Sequence, residues 1–136
     1  PEAARLLDLL AALSHSTDFS VGCYCEQESR CHRAVLRALL TVVEGAREYG
    51  RPVSVCGELA GNPLAVPLLL GMGVDSLSMS AGSLLRVKSV VRNTSRARAR
   101  QLLQAALRME EAYQVKRFMG AALEDLGLGG LVRPGK

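Results

Sequence analysis

Between Arg51 and Ser80 the chain reads RPVSVCGELAGNPLAVPLLLGMGVDSLSMS, and this order of signals admits few folds. Val53-Ser54-Val55-Cys56 is short, apolar and β-branched, and Gly57 breaks it, which predicts a strand. Asn62-Pro63 predicts a helix start, because Asn caps and a proline in the first helical position loses only an N–H that had no partner. Leu64 to Leu70 carries the apolar run, and Gly71 and Gly73 are expected to end it. Leu77-Ser78-Met79-Ser80 predicts a second strand. A strand, a helix and a strand within about 30 residues form a βαβ unit, so the two strands are expected to be parallel. Pro67 sits awkwardly in this scheme. Inside a helix it removes a hydrogen bond, with a kink or a cost of about 3 kcal/mol expected.

A parallel unit brings the carboxyl ends of its strands to one edge, where α/β proteins place their chemistry. Cys56 and Ser80 both fall at such ends. Cys56 therefore reads either as a site thiol or as a small core residue, since free cysteine is among the most buried residue types. The hydroxyls of Ser78 and Ser80 read first as strand hydrogen-bonders.

The rest of the chain supplies helices. Pro1 to Leu13 reads as an amphipathic helix, and Asp18 to Gly22 as a short strand candidate. His32 to Tyr49 has Leu36, Leu39, Leu40 and Val43 on one face and closes at Gly50. Further helices are predicted at Ser83–Asn93, Arg96–Met109 and Glu110–Leu126, followed by a glycine-rich tail over Gly127–Lys136. The order is then α, β, α, β, α, β, α, α, α, and parallel strands of this kind need helices on their faces.

The 136 residues suffice for one domain with a core, and 49% hydrophobic with 22% charged residues is ordinary for a globular chain. No apolar run reaches the ~18 residues that span a bilayer, so no membrane association is expected. No signal peptide is visible, and with four cysteines in a chain of high apolar content a reducing cytoplasm is the expected compartment. The first residue is not Met, so a piece of a longer protein is expected. Ser76 to Met109 contains no Asp or Glu but holds Arg86, Lys88, Arg92, Arg96, Arg98, Arg100 and Arg108. Such a block meets phosphates or an acidic partner, or is a solvated helix surface. Without aromatic interleaving it does not predict nucleic-acid binding. Cys23, Cys25, Cys31 and His32 offer four soft ligands that are chemically adequate for zinc. Their spacing is irregular beside that of paired zinc knuckles, and loop residues without a special role are the favoured reading.

The blocks Val53 to Leu64, Leu69 to Gly73, Leu77 to Ser80, Arg86-Val87-Lys88 and Ala121 to Gly129 carry a resemblance. Together they resemble the C-terminal part of the phosphoenolpyruvate-protein phosphotransferases, enzyme I of the bacterial phosphotransferase system, with the nitrogen-related branch nearest. The likeness is strongest over residues 32–134, roughly three quarters of the chain. It implies a single domain over residues 1–136, an α/β fold that is part of a (β/α)8 TIM barrel: its last three βα units plus C-terminal helices. A whole barrel takes about 250 residues, so other strands are expected from elsewhere, or the sheet stands open. Upstream, Pro1 and Asp18 to Gly22 fit the family layout with one Phe fewer, and the pattern then breaks. Where the family has an Asn-Asp pair and a long loop with an Arg, residues 23–31 form an irregular join.

The resemblance also implies a chemistry. The phosphoryl group of phosphoenolpyruvate (PEP) passes to a protein histidine and then to a phosphocarrier protein, and the enolate left behind is protonated to pyruvate. The cysteine of the Cys-Gly-Glu block is the implied proton donor, which is Cys56 here. A thiol with an ordinary pKa of ~8.5 is mostly protonated at pH 7 and suits the task. Gly57 is the expected point of close substrate approach, with its N–H a candidate donor to a substrate oxygen. Glu58 is either an acceptor that orients its neighbours or a surface carboxylate. Mg2+ is implied by the family, yet its carboxylates would fall upstream of Pro1 and near Cys25, so no metal ligand is assigned in this chain. Neither His15 nor His32 lies in the family's phosphohistidine motif. A homodimer, or association with the remaining barrel strands, is the expected assembly. The alternative is a catalytically inactive remnant that serves as a dimerisation or interaction module.

Overall fold

The computed structural model describes residues 28–109 and 111–132, with side chains from residue 36 onward. The helix expected before His32 and the strand expected at Asp18–Gly22 lie outside the described residues. So do Cys23 and Cys25, and the side chains of Cys31 and His32.

Helix α1 (Glu28–Glu48) takes its place through the spacing of its apolar residues. Leu36, Leu39, Val43 and Ala46 are buried, while Arg37, Thr41, Glu44 and Arg47 face solvent. The chain reverses at Gly50, whose φ of 63° is open to glycine without strain. Strand β1 (Ser54–Cys56) then pairs in parallel with β2 (Ser76–Ser78), in the register Ser54–Ser76, Val55–Leu77 and Cys56–Ser78. The expected βαβ unit is therefore present. Its entry is clamped by Asp75, whose Oδ2 accepts from the Val53 N–H at 2.7 Å while its own N–H donates to the Val53 carbonyl at 2.9 Å.

The connection between the strands departs from the sequence expectation. A four-residue helix α2 (Glu58–Gly61) follows β1 directly, too short to show a helical period. Asn62-Pro63 then makes a turn rather than a helix start. The Asn62 Oδ1 accepts from the Leu64 N–H at 3.0 Å, and its carbonyl accepts from Ala65 at 2.9 Å. Helix α3 (Val66–Met72) begins only after this turn. Pro67 consequently sits in the first turn, where its missing N–H costs nothing, and the expected penalty does not arise. Gly71 stays inside α3, and Gly73 alone ends it, at φ 82°. Strand β2 stops at Ser78, so Met79 and Ser80 form a link, with Ser80 the extended residue before helix α4 (Ala81–Asn93).

Helix α5 (Arg96–Arg108) is capped by Ser95, whose hydroxyl accepts from the Arg98 N–H at 3.2 Å. Helix α6 (Ala112–Asp125) opens with a capping box formed by Glu111 and Gln114. Of the residues expected to be a tail, 127–132 fold back against the core instead. Leu128 donates its N–H to the Leu123 carbonyl at 2.8 Å, and a 3-10 turn (Gly129–Leu131) follows. Leu128, Leu131 and Val132 pack on Val66, Val87, Val90 and Leu123.

The main core gathers Leu36, Leu39, Val55, Leu68, Leu69, Met72, Leu102, Leu103, Ala106 and Met119 from α1, β1, α3, α5 and α6. Helices α3 and α5 pack closely at Gly71. A Cβ on Gly71 would stand 2.5 Å from the Ala99 carbonyl oxygen, so only glycine allows this approach. The helices cover one face of the sheet. Val55 points into them, while Ser54, Cys56, Ser76 and Ser78 are exposed on the other face. The described residues thus form a helix-rich mixed α/β structure with a two-stranded parallel sheet that has no closure of its own. None of the described helices is long and apolar enough to cross a membrane.

Candidate functional site

The open sheet face carries the candidate chemistry. Alternation along β1 turns Val55 inward and leaves Ser54 and Cys56 outward. The parallel register sets Ser76 beside Ser54 and Ser78 beside Cys56. The outcome is a strip of three hydroxyls and one thiol. The Ser54 and Ser76 hydroxyls share a short hydrogen bond, a pairing the sequence reading missed. Its signal was present as small polar residues at every second strand position, at Ser54, Cys56, Ser76 and Ser78.

Cys56 is exposed, as the last residue of β1. The reading of it as a buried core residue is set aside by that position. Gly57 leaves the strand at φ 90° and ψ −156°, in a region that favours glycine. Its N–H donates to the Ser78 carbonyl at 3.1 Å, and its own carbonyl accepts from the Gly61 N–H at 3.2 Å. The expectation that this N–H serves a substrate oxygen meets a physical obstacle: the hydrogen is already engaged with the neighbouring strand. A Cβ at Gly57 would meet nothing within 4 Å, so space is open there and the backbone conformation is what selects glycine.

Glu58 follows in the first turn of α2, exposed to solvent. Helix α2 is seated by Ala60, which is fully buried, and by contact with β1, β2, α3 and α4. Gly61 lies close to Ser83, whose hydroxyl would be 3.1 Å from an added Cβ. Cys56, Gly57 and Glu58 are therefore held on a short anchored segment at the carboxyl edge. Ser80, expected at the end of β2, instead directs its hydroxyl to that of Ser83 at 3.5 Å.

A hard divalent cation takes six or more oxygens, and Mg2+ takes them in a near-ideal octahedron. Near Cys56 the sequence-adjacent carboxylate is Glu58, and the described residues contain no group of three or more His, Cys, Asp or Glu side chains placed to hold a metal. The described residues do not fit a Mg2+ site by themselves.

Residues 15–96 match the model of the PEP-utilising enzyme, PEP-binding domain, across the Cys56 segment, both strands and α4. The match begins upstream of His32 and so includes the irregular join over residues 23–31. Among curated relatives, a protein of Escherichia coli K12 named "Phosphoenolpyruvate-dependent phosphotransferase system" is 38% identical over 104 residues, 76% of this chain and 14% of its own. The "Multiphosphoryl transfer protein" of Xanthomonas campestris pv. campestris is 35% identical over 132 residues, 85% of this chain and 16% of its own. The "Phosphoenolpyruvate-protein phosphotransferase" of Priestia megaterium is 40% identical over 86 residues, 63% of this chain and 15% of its own. The chain spans about one seventh of the length of these relatives. With more than half of its residues inside the family match, including the thiol edge described above, the chain belongs to the PEP-utilising enzymes through their PEP-binding domain.

Proposed function

We propose that this chain forms the C-terminal strands and helices of a PEP-binding (β/α)8 barrel in a PEP-protein phosphotransferase, with Cys56 as the acid that protonates the enolate of pyruvate. The observation that carries this reading is the exposure of Cys56 at the carboxyl end of β1, inside the residues matched by the PEP-binding family. The open polar face beside it fits a barrel interior whose other strands come from elsewhere. Parallel sheets bury both faces, whereas here Ser54, Cys56, Ser76 and Ser78 are exposed.

In the proposed reaction, transfer of the phosphoryl group leaves an enolate whose methylene carbon takes up a proton. The Cys56 S–H bond breaks as the new C–H bond forms, and the thiolate is reprotonated by water. Gly57 shapes the turn that presents the sulfur and leaves room for the substrate, and its N–H holds the two strand ends together. Glu58 stands one residue further on the rim and interacts with polar groups of the substrate or its water. A free thiol at this position fits a reducing compartment. The phosphorylated histidine and the phosphocarrier protein belong to the longer protein proposed here.

The test is a graft. Replacing the matching residues of the Escherichia coli relative with those of this chain is expected to retain PEP-dependent pyruvate release. Cys56→Ala in the graft is expected to lower that release by about 100-fold or more, as befits loss of a general acid. Undiminished pyruvate release from the alanine variant would reject the assignment.

A further inference from the structure

The two strands oppose two pairs of side chains on their exposed face, and the first pair shows what this spacing permits. Ser54 and Ser76 are register partners, and their hydroxyls share a hydrogen bond. Two residues further along both strands, the same relation sets Cys56 opposite Ser78, again with both side chains exposed. Paired strands run ~4.8 Å apart, so opposed side chains of this size are neighbours. The second pair is fixed from behind, because the Gly57 N–H donates to the Ser78 carbonyl at 3.1 Å directly after the sulfur-bearing residue. A backbone spacing that lets oxygen reach oxygen at Ser54 and Ser76 lets sulfur reach oxygen at Cys56 and Ser78, since the C–S bond is the longer one. No hydrogen bond joins this pair as it stands, in keeping with a neutral thiol as a weak partner. A thiolate is a far better acceptor. The other hydroxyls of this edge are engaged elsewhere, Ser54 with Ser76 and Ser80 with Ser83.

We propose that Ser78 is the positioning residue of the Cys56 thiol, its hydroxyl donating a hydrogen bond to the sulfur as the thiol gives up its proton. This rests on the role proposed for Cys56 above. As the S–H bond breaks and the enolate carbon takes the hydrogen, the electron pair stays on sulfur. The Ser78 O–H keeps its own proton and turns to that charge. The contact is strong only once charge has developed, so it lowers the barrier to proton transfer without tightening the hold on PEP. The neighbouring groups fit this task less well. Glu58 is two residues along the chain, but an ionised carboxylate accepts hydrogen bonds and donates none, and its charge opposes a thiolate. The Gly57 N–H is spent on the Ser78 carbonyl. Ser78 ends the strand that lies next to Cys56, and its side chain is exposed on the same face.

The first test uses the full chain and needs no activity. Alkylation by iodoacetamide is followed by mass spectrometry on the peptide that contains Cys56, at about pH 7 and at about pH 10, where a thiol is mostly ionised. The ratio of the two rates reports how readily the thiolate forms, and a change in access alone moves both rates together. Ser78→Ala is expected to lower that ratio by about threefold or more, because a hydrogen bond to the charged form is lost. Ser78→Thr keeps the hydroxyl and is expected to restore the ratio, and Ser54→Ala to leave it unchanged. The second test uses the Escherichia coli graft described above. There Ser78→Ala is expected to lower kcat for pyruvate release by about tenfold or more, with KM for PEP unchanged and Ser78→Thr restoring the rate. A ratio indifferent to Ser78→Ala would overturn the proposal, as would a loss in the graft that appears in KM alone. If Cys56→Ala leaves pyruvate release intact while the ratio still falls in Ser78→Ala, the pair stands and the enolate role of the thiol fails.

Discussion

At the scale of single residues, glycine does three different things in this chain. Gly57 turns the backbone at φ 90° directly after the exposed Cys56. Gly73 closes α3 at φ 82°, its N–H donating to the Leu69 and Leu70 carbonyls, both at 3.1 Å. The Arg47 guanidinium lies over it and donates to its carbonyl at 3.1 Å. A Cβ at Gly73 would collide with that guanidinium and would also face an unfavourable φ. Gly73→Ala is therefore expected to destabilise the fold by ~1 kcal/mol or more in urea unfolding. Adding Arg47→Ala should recover only the steric part, because the backbone strain persists. Full recovery in the double variant would show that φ is not the obstacle. The third use, at Gly71, is to let two helices approach closely.

At the scale of elements, two helical glycines that look alike in the sequence are expected to respond in opposite directions. A methyl group added at Gly120 in α6 would meet nothing within 4 Å, so Gly120→Ala should stabilise by ~0.5–1 kcal/mol through helix propensity. Gly71 in α3 gains the same propensity but lies against the Ala99 carbonyl, and its added Cβ would stand 3.0 Å from the Leu103 Cβ. Overpacking of this kind costs ~1–3 kcal/mol, which exceeds the gain, so Gly71→Ala should lower stability. Urea melts of the two variants would decide it, and a stabilised Gly71→Ala would mean that α3 and α5 separate at little cost. The late start of α3 belongs to the same scale. Pro67 is tolerated because the Asn62 turn delays the helix, a local hydrogen-bond choice that apolar periodicity does not report.

At the scale of the whole molecule, stability rests on the helices that cover one face of the sheet, since a two-stranded sheet alone is marginal. Leu69 in α3 is fully buried in the core that joins α1, β1, α3, α5 and α6. Leu69→Ala should cost ~2–5 kcal/mol. Leu85→Ala, at an exposed position of α4, should stay within ~0.5 kcal/mol. Comparable losses from the two, read by thermal unfolding, would mean that α4 is packed against something in the chain itself. The asymmetry matters for function. One face of the sheet supplies stability, and the other carries the exposed Cys56 on which the proposed function rests.

The parallel strand pair, the helices around it and the thiol at its carboxyl edge were legible in the sequence. Each depends on local pattern: β-branched Val53 and Val55, the stop at Gly57, and the spacing of Leu36, Leu39 and Val43. The family likeness was legible too, because the Cys-Gly-Glu block and the segments after it are contiguous in sequence. What required the tertiary structure was decided by groups distant along the chain. The N–H of Gly57 is consumed by Ser78 on the neighbouring strand, and only the strand register reveals that. Gly71 is needed where α3 meets α5, and Leu128 and Leu131 of the expected tail are half-buried because they reach the cluster of Val66 and Val87. Periodicity states which residues seek burial; contact between separate elements states which hydrogen bonds and methyl-sized gaps are left for chemistry.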